Sequence, residues 1–233
     1  VRRAAIAAAL LLVSGARAAT LPRLGDYLDT AYIKSLEKTR SPLAAAAADR
    51  RAAMPELVTL HSQGGARRLE ATWNWHAGRM LFVLQRNGMV RRELAWGPDS
   101  GMALRLTAAD AFCLTPRQGG EHCYRYVGDA PRFITSAALA GTYTDRQGKV
   151  YRFGADGTVH FPGYDARYRL VLDQAATPFD CFEIDATGGT IAFRHDGANL
   201  SLYGVRTNQD HADFTAPLAV LREAPGRALL AAR

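Results

Sequence analysis

Leu69-Glu70-Ala71-Thr72-Trp73-Asn74-Trp75 carries apolar residues at its odd positions and polar ones at its even positions. On a pleated strand, where successive side chains point to opposite faces, that alternation sends both tryptophans to one side. The same period governs its neighbours: Leu57 to His61, Met80 to Gln85, Val90 to Trp96, Met102 to Leu106, Ala111 to Leu114 and His122 to Tyr126. Beyond Pro131 it continues through Gly141 to Asp145, Val150 to Phe153, Thr158 to Phe161, Tyr168 to Leu172, Cys181 to Ile184, Ile191 to His195, Asn199 to Tyr203 and Pro217 to Leu221. Asn87-Gly88, Asp156-Gly157, Gly188-Gly189 and Asp196-Gly197 supply the positive-φ residues of tight hairpins. Short strands at this spacing, with no helix between them, predict a mainly β protein built as an antiparallel meander, barrel or sandwich.

The strands also repeat. LEATWNWHAGRMLFVLQRNGMV (69–90) aligns with LAGTYTDRQGKVYRFGADGTV (139–159), first at an offset of 70 and, after one residue drops out, at 69. Leu69 meets Leu139, Trp73 meets Tyr143, Gly78 meets Gly148, and Asn87-Gly88 falls on Asp156-Gly157. Farther on, Gly119-Gly120 falls on Gly188-Gly189, and CYRYVG (123–128) on AFRHDG (192–197). Glycines at matching turns and apolar residues on matching faces predict two tandem, related β units with a boundary near Ser136.

Leu139-Ala140-Gly141-Thr142-Tyr143, followed by Gly148, Tyr151, Phe153 and Asp156-Gly157, resembles the opening hairpin of lipocalin-like (calycin) barrels over about twenty residues. Their first strand carries a Gly-x-Trp; here Tyr143 stands in the Trp position, and Ala71-Thr72-Trp73 of the other copy lacks the Gly. The resemblance implies an up-and-down β meander and a role in binding a small ligand or a protein. Each unit is short for a full lipocalin, so it does not imply a roomy calyx.

Ahead of the strands the pattern is helical. Leu24, Leu28, Tyr32 and Leu36 recur at every fourth position with charged residues between them, an amphipathic stripe. Ser41 is a good N-cap, Pro42 suits the first helical position, and Leu43 with five alanines follows until Pro55 stops the run. The first eighteen residues read as a cleavable leader: basic Arg2-Arg3, an apolar stretch from Ala4 to Val13, and the small-residue site Ala16-Arg17-Ala18. That stretch is shorter than the roughly 20 residues needed to span a bilayer, and Ala19, not Cys, follows the cut, which disfavours a lipoprotein. The expected organisation is a signal peptide (1–18), a helical segment (19–55), a first β unit (56–135), a second β unit (136–223) and a disordered tail (224–233). The expected location is the periplasm or the medium of a bacterium.

Composition agrees with export. Without Arg2, Arg3 and Arg17 the formal net charge drops from +7 to +4, and the arginines are scattered along strands, so no nucleic-acid partner is expected. In an oxidising compartment Cys113 and Cys123, flanking the turn Pro116-Arg117-Gln118-Gly119-Gly120, face each other across a symmetric hairpin and are expected to form a disulfide. Cys181 is then left over, as a buried thiol or as a competing partner.

Catalytic motifs do not stand out. His61, His76, His122, His160, His195 and His211 form no compact ligand set, no C-x-x-C pair occurs, and no serine sits in a G-x-S-x-G elbow, so neither a metal nor another cofactor is expected. Asp173, Asp180, Glu183 and Asp185 read as an exposed strand face. The candidate ligand contacts are Trp75 and His76, which have no similar counterpart in the second unit, and Arg152, Arg167 and Arg169, which with Arg194 would lie on polar strand faces and suit an anionic partner. The expected function is a non-enzymatic exported protein that binds a protein partner or a small envelope molecule, without a transmembrane anchor. A periplasmic hydrolase with a dispersed His/Asp site and a structural envelope protein are the alternatives.

Overall fold

A closed antiparallel barrel and an open antiparallel sheet, each of eight strands, make up most of the molecule in this computed structural model. It describes residues 21–49, 54–72, 75, 79–84, 90–92, 103–116, 118–173, 177–185, 187–205 and 212–224. The expected leader, the Asn87-Gly88 turn, Trp73, His76, His211 and nearly all of the expected tail lie outside them. No described helix is long and apolar enough to cross a membrane.

The open sheet contains β1 (Gly25–Asp29), β2 (Leu57–Gln63), β3 (Ala66–Thr72), β4 (Arg79–Leu84), β5 (Val90–Arg92), β6 (Ala103–Ala108), β7 (Ala111–Thr115) and β8 (His122–Gly128). Its order is β5-β4-β3-β2-β1-β8-β7-β6, so the first strand pairs with the last. The barrel runs through β9 (Gly141–Thr144), β10 (Val150–Phe153), β11 (Thr158–Phe161), β12 (Tyr164–Val171), β13 (Cys181–Ile184), β14 (Gly189–Asp196), β15 (Asn199–Gly204) and β16 (Ala219–Glu223). Here too the first strand pairs with the last, β9 with β16, and every other strand pairs with its sequence neighbours, which closes the ring. The expectation of a mainly β protein of two tandem meanders is met. A closed eight-stranded antiparallel barrel is compatible with a lipocalin-like fold.

Connectivity equates β1 with β9. The internal sequence alignment instead lays β3 on β9, β4 on β10, β5 on β11, β7 on β13 and β8 on β14, two strands out of step. An even shift in an antiparallel meander preserves strand direction and the inside-outside alternation, so apolar positions and hairpin glycines still coincide.

The N-terminal segment differs from its sequence reading in one respect. The four-residue spacing of Leu24 and Leu28 belongs to a strand: Gly25–Asp29 is β1, hydrogen-bonded on one side to β2 and on the other to β8. The first β unit therefore begins at Gly25, well before the expected position 56. Asp29 ends the strand and starts α1 (Thr30–Thr39), its Oδ1 accepting from the backbone N–H groups of Ala31 and Tyr32. Leu28 and Leu36 still share a cluster, because the strand feeds directly into the helix they both cover. A second helix, α2 (Pro42–Asp49), follows as expected from Ser41, whose Oγ accepts from Ala44 N–H at 2.9 Å. A third, α3 (Ala130–Ala138), occupies the boundary between the units and was not anticipated; Asp129 caps it, accepting from Arg132 N–H at 2.9 Å, with Pro131 in its first turn.

Four apolar clusters hold the described parts, the smallest of them around Phe179, Cys181, Ala192 and Tyr203. Inside the barrel Phe153 meets Tyr143, Phe161, Tyr168 and Phe182 edge-on at ring-centre distances of 5.6–6.1 Å, and Phe193, Leu200, Leu202 and Leu221 complete the filling. On one face of the open sheet Tyr27, Phe112 and Tyr124 pack with Val58, Leu60, Leu69, Phe82 and Leu84. The helices cover the other face of β1 and β2, where Leu28 and Leu57 meet Tyr32, Ile33, Leu36, Ala45, Ala130 and Ile134; Leu172, just past β12 of the barrel, also joins this layer.

Candidate functional site

The helical layer also ties the two sheets together through polar groups. Arg40 follows α1 in the left-handed conformation, φ 55°, where its N–H can still reach Leu36 O at 2.7 Å. A non-glycine residue there costs roughly 1 kcal/mol. That cost is offset by the guanidinium, which meets Glu223 of β16 at 2.8 Å and the Tyr143 hydroxyl of β9 at 2.5 Å, with the Arg40 and Glu223 side chains only 12% and 17% exposed. Tyr143 in turn donates to Leu139 O at 2.9 Å. Next along the chain, Ser41 Oγ donates to Asp180, and Leu43 N–H donates to the same carboxylate at 2.8 Å. Burial pushes the Asp180 carboxyl above its ordinary range, against these two donors, which pull it down. This cluster joins α1 and α2 to the barrel, with Arg40 Nε the one guanidinium nitrogen buried without a hydrogen-bond partner.

An open groove of about 360 Å³ lies between α3 and the barrel wall. Its helix side is formed by Asp129, Arg132 and Thr135; its barrel side by the β10–β11 turn at Asp156 and by Arg169, Leu170 and Leu172. The turn takes its shape from Gly157, at φ 79°, where an added Cβ would come within 2.7 Å of the Tyr168 carbonyl oxygen. Both acids are occupied locally. Asp129 caps α3, and Asp156 accepts from Thr158 N–H at 3.1 Å and Thr158 Oγ1 at 2.7 Å, bonds that hold its carboxyl below the usual range. Arg169 pairs with Glu183 at 2.6 Å on the outer wall. Arg132 is exposed and, among the described residues, pairs with no acid. The groove thus offers an uncommitted guanidinium beside an apolar floor of leucine side chains.

The five expected contact residues do not converge. Arg169 lines the groove. Arg167, two residues earlier on β12, donates to Asp156 O at 3.3 Å, and Arg152 is exposed on β10 opposite His160 of β11. Trp75 sits instead in the helical layer, its ring 6.4 Å from that of Tyr32. It adopts φ 60°, and both its Nε1 and the Tyr32 hydroxyl are buried without a hydrogen-bond partner. His76 lies outside the described residues. Arg194 stacks on Phe214, its Cζ 3.5 Å from the ring centre.

The histidines are dispersed as well. His160 Nδ1 meets Asp165 at 2.5 Å on the barrel surface, His195 Nε2 meets Ala138 O at 2.8 Å, and His122 Nδ1 lies 3.0 Å from the buried Asp29. Each contact serves a different element. Cys113 and Cys123 face each other across β7 and β8 with their sulfurs 2.06 Å apart. Cys181 is a buried thiol whose pKa burial pushes up to about 11. Sequence reasoning missed Asp129, Arg132 and Thr135; the usable signal was the Asp129-Ala130-Pro131 helix start, which would have placed a helix over the boundary. No protein-family model, curated protein or solved structure matches this chain.

Proposed function

We propose that the protein is an exported, non-enzymatic β protein of lipocalin-like type that binds a protein partner through the groove between α3 and the barrel. The observation that carries this reading is Arg132, unpaired among the described residues and set beside Leu170 and Leu172 in an open cleft of about 360 Å³. A guanidinium in a cleft whose apolar lining comes from the buried Leu170 and the partly buried Leu172 suits an acidic group followed by an apolar side chain on an extended segment. The barrel axis is packed with Phe and Tyr rings, which argues against a ligand held inside it. The groove volume also lies near the lower bound of small-molecule sites, about 300 Å³, so a small anionic envelope molecule is the second reading.

The test is site-specific photocrosslinking in the exporting cell. A photoreactive residue at Thr135, in the groove, is expected to give a discrete protein adduct that Arg132→Glu abolishes. The same probe at Gln147, in the exposed β9–β10 turn at the opposite end of β10 from the Asp156 turn, is expected to give none. Identical patterns from both positions, or adducts insensitive to Arg132→Glu, would overturn the reading. A small molecule retained in native mass spectra and lost in Arg132→Glu would establish the second reading in its place.

A further inference from the structure

The pair Cys113–Cys123 is surrounded asymmetrically. It lies on the outer face of the open sheet, where β6, β7 and β8 bring Arg105, Cys113 and Cys123 into one cross-strand row. Cys113 is 2% exposed and lies under the guanidinium of Arg105, whose Nη2 is 3.4 Å from its sulfur. Cys123 is half-buried, and its sulfur lies 3.8 Å from Glu121 Oε2. Arg105 and Glu121 are themselves bonded twice, at 2.7 and 2.5 Å. One ion pair therefore sets a cation against one sulfur and an anion against the other.

We propose that Cys113–Cys123 is a thiol–disulfide exchange site of fixed polarity, in which an external thiol attacks Cys123 and Cys113 departs as the thiolate. In thiol exchange the leaving sulfur departs faster the better its negative charge is stabilised, and the attacked sulfur must be accessible. Arg105 provides the first condition at Cys113, and partial exposure provides the second at Cys123. The carboxylate of Glu121 disfavours the opposite outcome, a thiolate on Cys123. In the first step the incoming thiolate forms an S–S bond to Cys123 Sγ, the Cys113–Cys123 bond breaks, and its electron pair stays on Cys113. A second thiolate then attacks the external sulfur of the mixed disulfide, Cys123 leaves and takes up a proton, and the small thiol departs as its own disulfide. Two electrons pass from two small-thiol molecules to the protein. The reagent is a low-molecular-weight thiol, and the species that marks the site is a mixed disulfide on Cys123.

The experiment uses the native full chain and reduced glutathione in excess near neutral pH, with acid quenching and peptide mass mapping. Glutathione is expected on Cys123 alone, and reduction is expected to run faster than global unfolding, measured separately by pulsed hydrogen exchange without thiol. Arg105→Gln is expected to slow reduction about fivefold, in keeping with a leaving group that has lost roughly one to two pKa units of stabilisation; Arg105→Lys is expected to restore most of the rate and Glu121→Gln to raise it. A circular-dichroism melt of each oxidised variant guards against a folding defect. Reduction limited by unfolding, adducts shared equally with Cys113, or equal rates for wild type and a well-folded Arg105→Gln would each overturn the proposal. None of these residues borders the groove, so this outcome and that of the crosslinking test are independent.

Discussion

The barrel and the open sheet have the same number of strands and the same neighbour order, with the first strand seated against the last, yet among the described residues only one of them closes. The difference sits in a single connection. In the barrel β13 ends at Ile184 and β14 begins at Gly189, a tight hairpin that pairs the two strands in full register. In the open sheet the equivalent strands end at Arg92 and begin at Ala103, and no pairing joins them among the described residues. A second contrast lies in the first hairpin. β9 and β10 are joined by a turn organised by Asp145, whose Oδ1 accepts from Gln147 and Lys149 N–H, whereas β1 and β2 are separated by both α1 and α2. An eight-strand meander tolerates either a tight turn or a helical insertion at its hairpins. What it needs for closure is continuous pairing around the ring.

The contrast can be tested first in the cores. Phe153 touches four aromatic rings and Phe112 touches two, so Phe153→Ala is expected to lose about 4–5 kcal/mol of stability and Phe112→Ala about 3 kcal/mol. Urea denaturation followed in both variants measures this, and an equal loss would mean that closure adds no coupling to the barrel core. Next in size is the disulfide. Replacing Cys113 and Cys123 together by serine removes a cross-link spanning 10 residues and is expected to cost about 2–3 kcal/mol. Hydrogen exchange should show the loss in β6 to β8 and leave β9 to β16 protected; a uniform loss would make the two sheets one cooperative body.

Turn substitutions give a smaller and sharper comparison. Gly157 and Gly64 have similar positive φ values, 79° and 59°, but a Cβ at Gly64 meets nothing within 4 Å, while one at Gly157 meets the Tyr168 carbonyl. Gly64→Ala is expected to cost about 1 kcal/mol from backbone conformation alone, and Gly157→Ala about 2 kcal/mol or more. The thermal melts of the two variants measure this difference, and equal losses would mean that the Tyr168 carbonyl gives way at no cost. The smallest effect concerns pH. Because burial raises the Asp180 carboxyl, the folded chain holds that proton more tightly than the unfolded one. Its contribution is therefore fully present at pH below the ordinary aspartate range and is lost as pH rises through the raised value. Asp180→Asn keeps an acceptor for Leu43 N–H and does not titrate, so wild type should lose stability relative to this variant as pH rises across that window. A constant difference would show that Ser41 and Leu43 fully compensate the burial.

Much of the strand inventory was legible because period-two alternation is a local property that a barrel wall enforces on every strand. β1 was not, because Leu28, with Leu24 just before the strand, sits at four-residue spacing from the stripe of α1, and an amphipathic strand entering an amphipathic helix gives one continuous helical signal. α3 escaped because it is only nine residues long and falls across the expected unit boundary near Ser136, where no element was assigned. The groove was illegible for a different reason: Arg132 and Thr135 meet Asp156, Arg169 and Leu172 only after both sheets have formed, and no local pattern links those stretches. Arg169 was nominated for lying on a polar strand face, a criterion that Arg152 and Arg167 satisfied equally without reaching the groove.

The seams carry a consequence for how the molecule comes to exist. β1 must wait for β8, pairing Asp26 with Gly128, and β9 must wait for β16, pairing Thr144 with Arg222. Loop closure over such spans is slow, and contacts of this kind dominate folding times. A chain threaded through a pore from its N-terminus would hold α1 and α2 with Arg40 still lacking Glu223 until nearly the whole sequence had emerged. The clasp that completes the helical layer can therefore form only once β16 is in place, and a chain shortened before Glu223 would leave Arg40 without its acid.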